Sequence, residues 1–176
     1  MARHQATHDP LTGLANRILF VDRLQKSLAR SGRNGTSCAL FYIDIDNFKP
    51  VNDRYGHHAG DELLRQLAQR MLGHMREVDT VARLGGDEFV IVLPDADTGD
   101  GVAAVIDAVI EAISTPVTID GHELLVTPSI GGCLYPRDGE DAGSLLKHAD
   151  VAMYHAKAAG RSNIQWFTPD MMRESA

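Results

Sequence analysis

Apolar residues recur at helical spacing from Ala15 to Arg30, where Ile18, Leu19, Val21, Leu24 and Leu28 share a face, and Ser-Gly-Arg-Asn-Gly at 31–35 ends the pattern. Cys38 to Ile43 is a short, continuously apolar run, the signature of a buried strand, and it leads into Asp44-Ile-Asp46. The polar stretch Asn47 to Gly60, with Pro50 and two glycines, predicts a loop. Leu63, Leu64, Leu67, Met71, Leu72 and Met75 then predict a strong helix. Thr80–Leu84 and Phe89–Leu93 are β-rich runs around Gly85-Gly-Asp-Glu88, a hairpin pattern because glycines supply positive φ. Val105, Ile106, Val109, Ile110 and Ile113 mark a helix over Gly101–Ser114. Val117–Ile119 and His122–Val126 flank Asp120-Gly121 as a second hairpin extended towards Tyr135. A helix from Ala142 to Ala159 stops at Gly160, and Ile164–Phe167 is a last short strand.

This order predicts an α+β domain, with a mixed or mostly antiparallel sheet and helices segregated to one side. It is not a run of βαβ units. No G-x-G-x-x-G follows a strand and no G-x-x-x-x-G-K-[ST] occurs, so Rossmann and P-loop nucleotide sites are not indicated. The 176 residues fit one domain, with 1–8 expected as a leader or linker and 168–176 as a C-terminal linker.

Charge narrows the partners. Seventeen basic against 24 acidic side chains give a net −7, which argues against a general nucleic-acid surface and suits a small phosphorylated ligand met by a metal and a few cations. Cys38 and Cys133 sit in apolar runs and read as buried free thiols in a reducing cytosol. The first residues hold no apolar signal core, and no stretch is long enough to span a bilayer. A cytoplasmic domain is expected, without direct membrane contact, although its parent protein could be anchored elsewhere.

Two acidic groups stand where strands end. Asp44 and Asp46 are two residues apart, so an extended strand points both to one face, and Asp87 and Glu88 occupy the glycine turn. If the two elements are neighbours their carboxylates converge, and a hard divalent cation such as Mg²⁺ would relieve the repulsion. The bland alternatives are a strand-end turn and a soluble hairpin tip. Lys157 and Arg161 straddle the Gly160 stop and could reach one anion, or simply complement a helix dipole. Asn52 and Asp61 could present an amide and a carboxylate to guanine, whose N1–H and N2–H₂ donors adenine lacks; alternatively Asn52 orders its loop and Asp61 caps the Leu63 helix. The eight histidines lack the cysteine cluster or H-E-x-x-H of a zinc site, and no G-x-S-x-G nucleophile elbow exists.

Together these residues resemble the GGDEF family over nearly the whole chain. Asp9-Pro-Leu-Thr-Gly-Leu-Ala-Asn-Arg17 is similar to its opening motif, Asp44-Ile-Asp-Asn-Phe-Lys49 and the run Asn52 to Leu64 to its nucleotide segment, and Arg83-Leu-Gly-Gly-Asp-Glu-Phe89 to its signature. Ser129-Ile-Gly131 and the run Ala149 to Arg161 complete the set. The resemblance implies a palm-like fold akin to nucleotidyl cyclases and polymerases, with a ferredoxin-like βαββαβ core. It implies diguanylate cyclase activity, two GTP giving cyclic di-GMP and pyrophosphate across a two-fold homodimer, with Mg²⁺ as cofactor and Mn²⁺ as a substitute.

By matching position, the resemblance puts the metal on Asp44, the Ile45 carbonyl, Asp87 and Glu88, and the catalytic set on Asp87, Glu88 and Lys49. Phe48, Lys49, Asn52, His57, Asp61, Leu64, Lys157 and Arg161 would bind substrate, and Arg76 and Asp79 would form a product-inhibition site. The end of the chain resembles a link into an EAL domain, and sensor domains are expected in the parent protein. Pro128, Gly132, Cys133 and Ser162 depart from the family pattern. Two rival readings follow: a non-catalytic GTP- or cyclic-di-GMP-binding regulatory module, which in degenerate members loses the signature acids kept here, and a mononucleotide cyclase on the same palm.

Overall fold

The computed structural model describes residues 6–96 and 100–174. Its elements run α1 Arg17–Asn34, β1 Cys38–Asp46, α2 Phe48–Tyr55, α3 His57–Leu72, β2 Thr80–Gly85, β3 Glu88–Leu93, α4 Asp100–Ser114, β4 Val117–Ile119, β5 His122–Leu124, β6 Thr127–Tyr135, α5 Ala142–Ala158, β7 Asn163–Trp166 and α6 Asp170–Glu174. The main sheet has strand order β2-β3-β1-β6-β7, antiparallel except for the β6–β7 pair, and its first four strands have the ferredoxin-like order. The chain is α+β, as the sequence predicts.

The helices do not gather on one side. Ala39, Phe41, Ile43 and Ile45 of β1 pack with Leu63, Leu67, Ile106 and Val109 of α3 and α4. Leu40 and Tyr42 pack with Phe20, Leu24, Leu145 and Ala149 of α1 and α5. Both faces of β1 and β3 are apolar, so both must be covered, which is why β1 reads as an unbroken apolar run.

The predicted loop Asn47–Gly60 is also corrected: it holds α2 and the first turn of α3, separated by Gly56 at φ 91°. Helix α2 escapes periodicity because Val51 is its one buried residue. Pro50 occupies its third position, where a missing N–H leaves no helical bond unmade. The second hairpin is shorter than predicted. Strands β4 and β5 form their own ribbon, and β6 is a separate strand paired along the whole of β1, from Cys38 opposite Tyr135 to Asp46 opposite Thr127.

Strand β6 explains two departures from the family pattern. Ile45 donates its N–H across to Asp87, on the β3 side, so Pro128 opposite it directs its nitrogen away from β1. On that far side pairing with β7 starts only at Ser129, and no ladder bond is lost. Gly131 and Gly132 make room: a Cβ at Gly132 would lie 3.0 Å from Phe41 and Trp166, and one at Gly131 would lie 2.0 Å from the Ala149 carbonyl oxygen. Helix α5 therefore rests directly on the sheet backbone.

Residues 1–5 of the expected leader and 175–176 of the expected linker lie outside the described residues. Thr7 and His8 already belong to the fold, since Asn16 donates to the Thr7 carbonyl and His8 bridges Ala15. At the other end Met171 and Met172 pack against the α1–α5 cluster. Cys38 and Cys133 are buried and free, and among the described residues no helix is long and apolar enough to cross a membrane.

Candidate active site

Gly85 and Gly86, at φ 144° and 51°, turn β2 into β3 and leave Asp87 in the turn. The Asp87 carbonyl accepts the Ile45 N–H at 3.1 Å, which closes the turn onto the end of β1 and brings Asp87 beside Asp44. The convergence expected of these two acids is thus present. Burial, the charge of Asp44 and a proton shared with Asp44 push the Asp87 carboxyl up to about 6, with Lys157 opposing. Lys157 reaches across from α5 to pair with Asp44. Burial works against the ammonium charge, but the bond to Asp44 and the fields of Asp44, Asp87 and Asp46 outweigh it and raise its pKa.

Asp44 and Asp46 share a face and differ in chemistry. Asp46 accepts from Thr127 Oγ1 at 2.8 Å, Ser129 Oγ at 2.7 Å and the Ser162 N–H at 3.0 Å, with Arg161 Nε at 4.0 Å. It clamps β1, β6 and the α5–β7 corner, where Arg161 and Ser162 both take positive φ. Asp44 is 6% exposed, and its Oδ1 is buried without a hydrogen-bond donor. Such an oxygen costs free energy unless something positive meets it.

The donor set fits a hard divalent ion. Asp44 supplies an uncommitted oxygen, Asp87 stands beside it, and the Ile45 carbonyl leaves β1 on the same edge as its N–H. Among the described residues no group of three or more His, Cys, Asp or Glu side chains forms a metal cage. Mg²⁺ suits that arrangement, since it takes one or two carboxylates and completes its shell with water and phosphate.

Glu88 turns elsewhere. It lies opposite Asp44 in the β1–β3 register, but its carboxylate accepts from Tyr42 Oη, at 3.2 Å to Oε2 and 3.5 Å to Oε1. Burial and then the charge of Glu88 keep the Tyr42 phenol protonated and a donor. Asp150 on α5 also faces the group; burial, then Asp44, raise its pKa.

Phe48 and Lys49 open α2 just beyond Asp46, Phe48 half-buried and Lys49 exposed. Asn52 lies across α3 at Gly60, where a Cβ would fall 1.7 Å from Asn52 Oδ1, and that oxygen is buried without a donor. Asp61 is one residue further along α3. It is no helix cap, because α3 begins at His57 behind Gly56. His57 is exposed at the start of α3, whereas Leu64 is 1% exposed and packed in the core. Arg161 is the more exposed partner of Lys157 at the site.

Arg76 and Asp79 lie apart from this group, bonded to one another. Arg76 donates from its backbone N–H, Nε and Nη2 to Asp79, and from Nη2 to the Pro94 carbonyl. The Asp79 side chain is fully buried and Arg76 is 54% exposed, so the guanidinium is the part that faces solvent.

Sequence reasoning missed three contributors. Tyr42 was readable in principle, being two residues before Asp44 on the same strand face. Asp150 falls inside a quoted motif without a distinguishing neighbour. The pair Asp9–Arg83, 2.9 Å apart and largely buried, joins residues 74 positions apart, and Arg83 Nε also donates to the Gly86 carbonyl. That pair ties the opening segment to the turn that carries Asp87.

The ferredoxin-like sheet, with two carboxylates meeting at adjoining strand ends, has the palm-like architecture shared by nucleotidyl cyclases and polymerases. The family model described as "Diguanylate cyclase, GGDEF domain" matches residues 6–163, and the chain belongs to the GGDEF family. It is 43% identical to the bifunctional diguanylate cyclase/cyclic di-GMP phosphodiesterase MucR of Pseudomonas aeruginosa, over 94% of this chain and 24% of that protein. The chain thus spans about a quarter of that relative's length. Its fold matches the GGDEF domain of TpbB from Pseudomonas aeruginosa with a TM-score of 0.92 at 38% identity, covering 96% of this chain and 98% of that one. It also matches the GGDEF domain of DgcB from Caulobacter crescentus in complex with c-di-GMP, with a TM-score of 0.84 at 32% identity, over 92% and 95% of the two chains.

Proposed function

We propose that this domain is a diguanylate cyclase that condenses two GTP into cyclic di-GMP and two pyrophosphates. The observation that carries the reading is the buried, donor-less oxygen of Asp44 beside Asp87, with Lys157 as their counter-cation. Mg²⁺ or Mn²⁺ bound by Asp44, Asp87 and the Ile45 carbonyl would supply Lewis-acid stabilisation of charge on the phosphoryl oxygens. Lys157 then exchanges Asp44 for the triphosphate, and Arg161 with Lys49 and the Phe48 backbone adds to its binding.

Asn52 and Asp61 read the guanine edge, and the donor-less Asn52 Oδ1 suits a ligand N–H. His57 and Leu64 border that corner, Leu64 from within the core. Glu88 takes the proton as the 3′-oxygen of one GTP bonds to the α-phosphorus of the other, while the bond to pyrophosphate breaks; the same exchange, repeated, closes the ring. Each site supplies half of the reaction, so turnover requires two chains facing one another about a two-fold axis. Arg76 offers the exposed guanidinium of a product-inhibition site, oriented by Asp79. Sensor and EAL domains in the parent protein, and the cytoplasm as its location, belong to the same reading.

The test is incubation of purified chain with GTP and Mg²⁺, followed by chromatography. Cyclic di-GMP and pyrophosphate in a 1:2 ratio are expected, with activity per chain rising with protein concentration. GTP binding without product at high concentration would make the domain a regulatory module, and cyclic GMP would make it a mononucleotide cyclase.

A further inference from the structure

We propose that Asn163 is a positioning residue that fixes the spacing of Lys157 and Arg161, so that both cations meet one triphosphate. The inference rests on reading those two side chains as the phosphate-binding pair. They stand over different acids of β1, Lys157 on Asp44 and Arg161 Nε 4.0 Å from Asp46. Neighbours on one face of a strand lie about 7 Å apart, so two cations serving one ligand from there must be held in register. The backbone that links them is the corner between α5 and β7.

A helix leaves its last carbonyls without partners. Here the chain turns back through Gly160, Arg161 and Ser162, all at positive φ, and the Ala156 carbonyl accepts the Arg161 N–H at 3.1 Å. Arg161 at φ 64° and Ser162 at φ 50° both carry a Cβ, and such backbone persists only where its surroundings hold it. Asn163 supplies that hold from β7. Its Nδ2 donates to the Ala156 carbonyl at 2.8 Å and to the Arg161 carbonyl at 2.9 Å. One amide thus ties the residue before Lys157 to Arg161 itself. Gln165, two residues along β7, donates from Nε2 to Asn163 Oδ1 at 2.9 Å, which leaves Nδ2 facing the carbonyls. Asp46 meets the same corner from β1 through the Ser162 N–H. Without the Asn163 amide that tether remains, but the strut between the two cation-bearing segments is gone.

Asn163→Ala is read by calorimetry with a non-reactive GTP analogue and Mg²⁺, and by NMR titration with GMP, which lacks the β- and γ-phosphates. Affinity for the GTP analogue is expected to fall about tenfold, the weight of one charge-assisted phosphate contact, with GMP affinity unchanged. In a chain already carrying Arg161→Ala, the same substitution should cost nothing further, because no second cation is left to misplace.

Unchanged affinity for the GTP analogue in Asn163→Ala would overturn the proposal, as would an undiminished loss in the Arg161→Ala background. Equal losses for the GTP analogue and GMP would overturn it too, by making Asn163 a residue of the fold alone. Gln165→Ala leaves Asn163 in place and decides the matter if Asn163→Ala does not fold. About a threefold loss for the GTP analogue, with GMP unaffected, is then expected, and no loss overturns the proposal. If Lys157→Ala and Arg161→Ala both bind the GTP analogue as tightly as the unsubstituted chain, the reading of that pair as the phosphate clamp itself falls.

Discussion

Asp87→Asn is expected to lower cyclase activity by a factor on the order of 10³ or more while making the metal-free domain more stable at pH 7. The two effects share one cause. A carboxyl whose pKa in the fold stands at about 6, above its ordinary value, stabilises the fold only while protonated. That contribution is complete below the unfolded-state pKa and is lost as pH rises through about 6, so at pH 7 the ionised group opposes folding. Asparagine removes the charge and keeps the shape. Discounted for solvent screening at a half-exposed group, the gain is roughly 1 kcal/mol, or about 3 °C for a domain of this size. Thermal melts in chelator at pH 7 and pH 5 check the sign: the gain should shrink at the lower pH, where Asp87 is mostly protonated in the fold and mostly ionised in the unfolded chain.

Gly131→Ala is expected to be the most damaging single-methyl change in the sheet. The added carbon would stand 2.0 Å from the Ala149 oxygen and 2.1 Å from the Met153 nitrogen, both backbone atoms of α5, so no rotamer change can relieve it. Helix α5 must lift from β6, and overpacking of this kind costs about 3 kcal/mol or more. A drop in melting temperature of roughly 10 °C is expected. Activity should fall further than the melt alone explains, because α5 carries Lys157 to Asp44. Gly132→Ala, whose new carbon would first meet the aromatic side chains of Phe41 and Trp166 at 3.0 Å, should cost less.

The sequence was most legible where the determinants are local. The apolar run before Asp44 and the paired glycines before Asp87 each specify their element within a few residues, and the β1–β3 register then makes neighbours of the two acids. Short α2 was hidden because one buried residue sets no period. The placement of helices on both faces was hidden because a strand covered twice looks the same in sequence as any apolar run. Asp9–Arg83 and Tyr42–Glu88 depend on pairings set only by the finished sheet. Asp61 looked like a helix cap because the helix it belongs to starts at His57, four residues before it and ahead of the apolar face that begins at Leu63.

The most direct test is anomalous diffraction at the manganese edge from crystals of this chain grown with Mn²⁺ and a non-reactive GTP analogue. A peak is expected between the Asp44 and Asp87 carboxylates at about 2.1–2.2 Å from the Asp44 oxygen that now lacks a donor, with Lys157 moved from Asp44 to the triphosphate. Nucleotide bound with no metal between those two acids, or metal held at a different place in the domain, would contradict the account.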